Sequence, residues 1–275
     1  MGPANPARNV LSPRTGTIPA RMIDDQYMQR LESQVDALRT REKDSDARRT
    51  YDQVFDHACL LVLQGLIGDG VFATLDYPVS TGKEAVVFHA TDSAGKGKAV
   101  KIYRISNSTF KTIAVYIDGD PRFKRVKKAT KPTIFAWAQK EYQNLVRMGD
   151  AGVRVPAPGR VEANVLVMEY IGDETTPAPL LRNATLDDPR AVLNDVVVNL
   201  RAMRKAKLVH ADLSEYNLLF WDGKVVVIDV GQSVPVDHPR AAEWFKRDLG
   251  NIAHFFHRLR VDVTPASLEQ AVLEG

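Results

Sequence analysis

The sequence predicts an α+β protein of two lobes. An antiparallel sheet of about five strands with one inserted helix comes first, followed by a reduced, mostly helical lobe around one short hairpin, with extra helices on the N-terminal side. Three observations carry this. Runs rich in Val, Phe, Tyr and Ile recur at 72–79, 85–91 and 98–105, separated by Gly-containing turns, which is the pattern of a meander. Helical spacing of apolar residues then dominates, broken by two further strand-like runs. Asp222-Gly223 between two short apolar runs is the signal of a tight hairpin.

Taken in order, residues 1–22 are rich in Pro, Arg and Gly and are expected to be disordered. Residues 23–70 form a helical extension. Tyr27, Leu31, Val35 and Leu38 mark a narrow apolar face between Asp24 and Arg49, and a second helix runs from Tyr51 to Ile67 until Gly68-Asp69-Gly70 ends it. The sheet lobe, 71–170, holds the three-strand meander, a helix from Thr133 to Met148 behind Pro132, and strands at 153–160 and 164–170. The helical lobe, 171–275, holds a helix at 186–206, the hairpin Asn217–Trp221 with Lys224–Asp229, a helix from Arg240 to Leu259 and a last one from Thr264.

A chain of 275 residues, 44% hydrophobic and 26% charged, has the make-up of an ordinary globular protein. Its one cysteine, Cys59, excludes an internal disulfide and any cysteine-built zinc site. The apolar run Ala58–Leu63 is too short to span a bilayer, and the N-terminus lacks a signal core; a soluble, cytoplasmic protein without membrane partners is expected. Net charge is +3, yet Arg122, Lys124, Arg125, Lys127, Lys128 and Lys131 crowd one segment without an acid among them. That segment reads either as a solvated mobile loop or as a contact for phosphate, of a nucleotide or of an RNA backbone.

The chemistry is concentrated in Val209-His210-Ala211-Asp212-Leu213-Ser214-Glu215-Tyr216-Asn217 and in Val226-Val227-Ile228-Asp229. Phosphoryl transfer from ATP needs a carboxylate to orient the attacking hydroxyl and take its proton, and oxygen ligands for Mg²⁺. An Asp and an Asn five apart on one loop reach the same cleft, and an Asp ending the second hairpin strand returns to it. Asp212, Asn217 and Asp229 are therefore expected to handle the nucleophile and the metal ions between them, with His210 a brace for the loop. Mn²⁺ is an alternative to Mg²⁺ at such a site.

Upstream, Lys101 sits among apolar neighbours on the third strand and is expected to meet the α- and β-phosphates, with Glu141 of the inserted helix as its partner. Ser80-Thr81-Gly82-Lys83-Glu84-Ala85 lies between the first two strands, where backbone N–H groups, Ser80 and Lys83 can hold phosphates; its single glycine makes it neither a full glycine-rich loop nor a Walker motif. Val167-Met168-Glu169-Tyr170-Ile171-Gly172 closes the sheet. There Met168 lines an adenine pocket, Glu169 offers its carbonyl and Ile171 its N–H.

These strings resemble the RIO family of atypical serine/threonine protein kinases, above all its first subfamily, of archaeal type. The resemblance rests on Ser80–Ala85, Lys101, Lys140-Glu141-Tyr142-Gln143-Asn144-Leu145, His210–Leu219, Ile228–Val234 and Asp237-His238-Pro239 through Phe256, and it spans roughly residues 50–260. It implies a protein-kinase-like fold, ATP and Mg²⁺ as ligands, Asp212 as the catalytic aspartate, Asn217 and Asp229 as the metal ligands, and an aspartyl-phosphate on Asp229 with an ATPase-like cycle. It also implies a role in maturation of the small ribosomal subunit, with the precursor particle, its rRNA and its proteins as partners. Phe110, Lys111 and Tyr116 through Phe123 match the family's flexible segment, without the usual Arg-Asp pair after Lys111.

Two other classes remain in view. A small-molecule kinase of the choline or aminoglycoside type shares His-x-Asp and a strand-ending Asp, but carries another string around the Asn. A non-catalytic pseudokinase that binds pre-ribosomal RNA has no need of Lys101, Asp212, Asn217 and Asp229 together. No Ala-Pro-Glu string follows Asp229 and little room for a long activation segment is expected there, so a peptide substrate, if any, is expected to be held differently.

Overall fold

The structure is a computed structural model that describes Ser33 and residues 54–274 apart from Thr175. The expected disordered stretch 1–22 and, Ser33 aside, the expected helix Asp24–Arg49 lie outside the described residues.

Strands β1 (Thr74–Thr81), β2 (Ala85–Thr91), β3 (Gly97–Tyr103), β4 (Pro158–Glu162) and β5 (Val165–Glu169) form one antiparallel sheet in the order β1-β2-β3-β5-β4. The two-residue period of a strand decides what each face holds. Val86 and Phe88 on β2, Val100 and Ile102 on β3 and Val167 on β5 pack against helix α1 (His57–Gly68). Ala85, Tyr103 and Leu166 belong to the core on the opposite side, with Trp137 and Leu145 of a long helix. Lys101 falls between Val100 and Ile102, so it points away from α1 into the space between sheet and helices. Asp56 caps α1 by accepting from Cys59 N at 2.7 Å, and burial pushes the Cys59 thiol up to about 12, which leaves it unreactive.

Two helices lie between β3 and β4: α2 (Asn107–Ile117) and α3 (Thr130–Asp150). Helix α2 is an addition to the reading above. Its buried positions Ile113 and Ile117 are at helical spacing, but the segment is short and rich in β-branched residues, which hides the helix from propensity arguments. Helix α3 starts ahead of Pro132, because the N–H groups of a first turn have no intrahelical partner and a proline there costs nothing. The basic segment is only partly a solvated loop. Lys124, Arg125, Lys127 and Lys128 are exposed, whereas Pro121–Phe123 is a 3₁₀ turn with Phe123 buried, and Lys131 stands in the first turn of α3. Strand β4 begins at Pro158, later than expected, since Pro156 and Pro158 give no donors to a ladder.

The helical lobe follows the expected order. Helix α4 (Pro189–Lys205) is capped by Asp188, strands β7 (Leu218–Trp221) and β8 (Lys224–Val227) form the hairpin, and α5 (Ala241–Arg258) and α6 (Pro265–Leu273) close the chain. Asp222 and Gly223 have φ of 52° and 68°, the paired left-handed values of a type I′ turn. Short strands β6 (Leu208–Val209) and β9 (Val234–Pro235) pair and bracket the loop sequences that carry the chemistry.

Candidate active site

A cavity of about 660 Å³ opens between the sheet and the helical lobe. From the sheet and its connections, Ser80, Lys83, Lys101, Met168, Glu169 and Ile171 line it; α3 supplies Glu141; the segments just before β7 and just after β8 supply Asn217 and Asp229. Asp212 stands beside this lining, joined to it through Asn217, whose Nδ2 donates to Asp212 O at 2.8 Å and approaches its carboxylate at 3.4 Å. The predicted residues from five chain segments thus meet at one cleft.

At its centre is Lys101. Its Nζ donates to both carboxylate oxygens of Glu141 at 2.8 Å and to Asp229 Oδ1 at 2.8 Å. Burial alone would lower the Lys101 pKa, but the Asp229 and Glu141 carboxylates outweigh it and hold the ammonium above its ordinary value. Lys101 in turn draws Asp229 below the usual carboxylate value against desolvation. Glu141 is buried, which raises its pKa against the pull of Lys101, and it also accepts from Tyr103 Oη. Asp229 keeps 42% of its side-chain surface exposed, so a second oxygen is available to the cavity.

Asp212 titrates the other way. Burial raises its pKa, the Arg247 guanidinium 3.9 Å away opposes this, and the Asp229 charge adds to it. A carboxylate with a raised pKa suits proton acceptance. His210 is a brace, as expected: its Nε2 lies 3.2 Å from Ile228 O, and burial lowers its pKa to about 4, which keeps the ring neutral. At the closing edge of the sheet, Glu169 N donates to Ala157 O at 2.8 Å and Ala178 N donates to Ile171 O at 3.0 Å. The carbonyl of Glu169 and the N–H of Ile171 are the other backbone group of each residue.

Three residues of the site escaped the sequence reading. Asp248 on α5 accepts from Ala211 N and Leu213 N, both at 2.9 Å, gripping the loop on either side of Asp212. Arg247 donates to Ala211 O and faces Asp212. Both lie in a helix whose apolar periodicity explains its sequence without them. Glu84 lines the cavity with its pKa pushed up to about 7 by burial and then by the Asp229 charge; it stood inside the quoted Ser80–Ala85 string but had no assigned part.

The residues present fit a magnesium ion. Among the described residues no three His, Cys, Asp or Glu side chains form a metal cage, and the donors at hand are one carboxylate and one amide oxygen, the sparse protein contribution typical of Mg²⁺ on a nucleotide.

A five-stranded antiparallel sheet, a helix-borne glutamate on a strand lysine, and Asp and Asn on a loop below define a two-lobed, kinase-like α+β enzyme. A family model described as the RIO domain matches residues 86–268. The RIO-type serine/threonine-protein kinase Rio1 of Haloferax volcanii is 42% identical over 248 residues, 90% of this chain and 86% of that protein. Its namesake in Thermoplasma acidophilum is 38% identical, covering 68% of this chain and 98% of that protein. The human serine/threonine-protein kinase RIO1 is 39% identical over 80% of this chain, which spans only 40% of that longer protein. A crystal structure of the Rio2 kinase from Chaetomium thermophilum shares the fold, with a TM-score of 0.62 at 24% identity over 77% of this chain and 67% of that one. The same kinase as an ADP/Mg²⁺-phosphoaspartate complex gives 0.59 at 21%, over 77% and 65%. The chain belongs to the RIO family, in its Rio1 branch, and is a serine/threonine-protein kinase by class.

Proposed function

We propose that the protein is an ATP- and Mg²⁺-dependent RIO-type kinase and ATPase that acts in maturation of the small ribosomal subunit. The observation that carries the catalytic part is the Lys101 ammonium held between Glu141 and Asp229, 2.8 Å from each, at the floor of the cavity. ATP is the substrate. Met168, the Glu169 carbonyl and the Ile171 N–H take the adenine, Ser80 and Lys83 the outer phosphates, and Lys101 the inner ones. Asp229 and the side-chain oxygen of Asn217 would hold Mg²⁺, which neutralises phosphate charge when bound.

Asp212 orients the attacking hydroxyl and takes its proton, which its raised pKa favours. Where Asp229 itself is the acceptor, its free carboxylate oxygen bonds to the γ-phosphorus, the bond to the β–γ bridging oxygen breaks, and ADP leaves. Water then hydrolyses the acyl phosphate. Lys101 fixes Oδ1 and so presents Oδ2. The phosphoaspartate of the Chaetomium Rio2 complex supports this reading. The exposed Lys124, Arg125, Lys127, Lys128 and Lys131 offer a surface for rRNA phosphates, in the cytoplasm.

Asp212→Ala and Asp229→Ala are expected to lower ATP turnover by at least ~10²-fold, as loss of a general base or an electrostatic group does. Unchanged turnover in either variant would refute the assignment. Phosphate label from γ-labelled ATP should be released by hydroxylamine in part; label wholly resistant to it rules out the aspartyl-phosphate. Sequencing of RNA recovered with the protein should return small-subunit rRNA precursors, and its absence would remove the ribosomal reading.

A further inference from the structure

Lys140 is fully buried, yet among the described residues no carboxylate forms an ion pair with it. Its ammonium donates to Gly231 O at 2.7 Å and to Ser233 O. One turn later on the same face of α3, buried Asn144 donates through Nδ2 to Val230 O at 2.7 Å and Ser233 O at 3.0 Å. These three carbonyls belong to the turn that follows Asp229 directly. The amide of Asn144 is itself oriented: its Oδ1 accepts from Arg122 Nη1 at 2.8 Å, and Arg122 is locked by a bidentate contact to the buried Asp120. The turn also lies flat on the helix, since a Cβ on Gly231 would stand 3.1 Å from both Glu141 Oε2 and Trp137.

Lys140 is met by main-chain carbonyls and by the face of the Trp137 ring, and burial pulls its pKa down to about 7, so a lysine is a costly way to fill this core. What the cation does that methionine cannot is fix backbone oxygens at defined points. We propose that Lys140 and Asn144 are positioning residues, which hold the 230–233 turn on α3 and thereby set where the Asp229 carboxylate stands relative to Lys101. Helix α3 then locates Asp229 twice, through Glu141 and Lys101 at the side chain and through Lys140 and Asn144 at the backbone. Arg122, rooted in the basic segment, keys the second route. The inference rests on the reading of Asp229 as a metal ligand.

The test uses the whole chain and two readouts besides turnover: hydrogen exchange of the Ser233 amide, which is bonded to Val230 O within the turn, and Mn²⁺ binding with ADP by electron paramagnetic resonance. Lys140→Met should lower the unfolding midpoint, since the Gly231 carbonyl loses its donor, speed Ser233 exchange at least ~10-fold and weaken Mn²⁺ at least ~10-fold, with ADP binding in EDTA unchanged. Asp229→Asn should weaken Mn²⁺ without altering Ser233 exchange. If Asp229→Asn weakens the metal and Lys140→Met changes neither readout, or only the exchange, the positioning claim is overturned while the site stands. If Asp229→Asn leaves the metal unaffected, the site reading itself fails. Should Lys140→Met not fold, Arg122→Lys keeps a cation beside the buried Asp120 carboxylate while removing the Nη1 bond that orients Asn144. It should move both readouts the same way by at least ~3-fold, and no movement overturns the claim.

Discussion

Replacing Asp248 by Asn tests how the catalytic loop is held. The carboxylate is 1% exposed and accepts from Ala211 N and Leu213 N, so it clamps both neighbours of Asp212. The change is isosteric, but an amide presents one acceptor and one NH₂ group. One backbone N–H therefore faces another donor. Losing a hydrogen bond to a charged acceptor and leaving its buried donor unpaired amounts to about 2–4 kcal/mol. Ala211 adds to this, because its φ of 67° is a left-handed conformation that costs an L-residue about 1 kcal/mol and persists only while both bonds hold it. Burial pushes the Asp248 carboxyl up to about 7, so measurements at pH 8 compare the ionised side chain with the amide. Urea unfolding followed by tryptophan fluorescence should show a loss of about 2–4 kcal/mol, and ATP turnover should fall by about 10²-fold through displacement of Asp212. A variant within ~0.5 kcal/mol of the parent, with turnover within about twofold, refutes the clamp.

Glu141→Gln leaves Lys101 with Asp229 as its one carboxylate partner; a stability loss of about 2–4 kcal/mol is expected, with lower kcat and higher KM for ATP in steady-state assays. His210 is neutral in the folded protein because burial lowers its pKa from 6.5 to about 4. The unfolded chain therefore binds the extra proton between those values, and the contribution of His210 is full above pH 6.5 and lost by about 3 kcal/mol as pH falls through 4. Unfolding free energies at pH 7 and pH 4.5 should show this loss in the parent and not in His210→Asn. Gly172 has φ of 151° and a Cβ there would sit 2.4 Å from Thr176 O, so Gly172→Ala should cost more than about 2 kcal/mol by the same urea assay.

The sheet was legible because Val86, Phe88, Val100 and Ile102 obey a strict period of two, and that period also sent Lys101 to the opposite face. That Asp212, Asn217 and Asp229 meet at one cleft was legible for a different reason: the roles proposed for them in phosphoryl transfer fix residue types at spacings that packing alone does not require. Helix α2 was not legible, since its β-branched run carries no helix preference and its few buried side chains settle the matter only in the folded chain. Asp248 was hidden by distance. Its partners are the backbone N–H groups of Ala211 and Leu213, which every sequence has and none advertises. Lys140 was quoted as part of a string, but its burial against carbonyls of the turn after Asp229 depends on the tertiary fold.

The two loops that bracket the cavity each hold a non-glycine residue in the left-handed region, Ala211 at φ 67° and Asp229 at φ 57°. At about 1 kcal/mol or somewhat more apiece, these conformations do not persist without support. The support is on hand. Ala211 is held at its N–H by Asp248 and at its carbonyl by Arg247, and Asp229 is held at its carboxylate by Lys101. Each charge-assisted bond contributes about 1.5–3 kcal/mol, enough to outweigh the local strain. Ligand is therefore not required to bend either loop into place. The strain is offset by the protein's own side chains, so the oxygens of Asp212 and Asp229 are preset, and in the function proposed above the binding energy of nucleotide then remains available for the transition state.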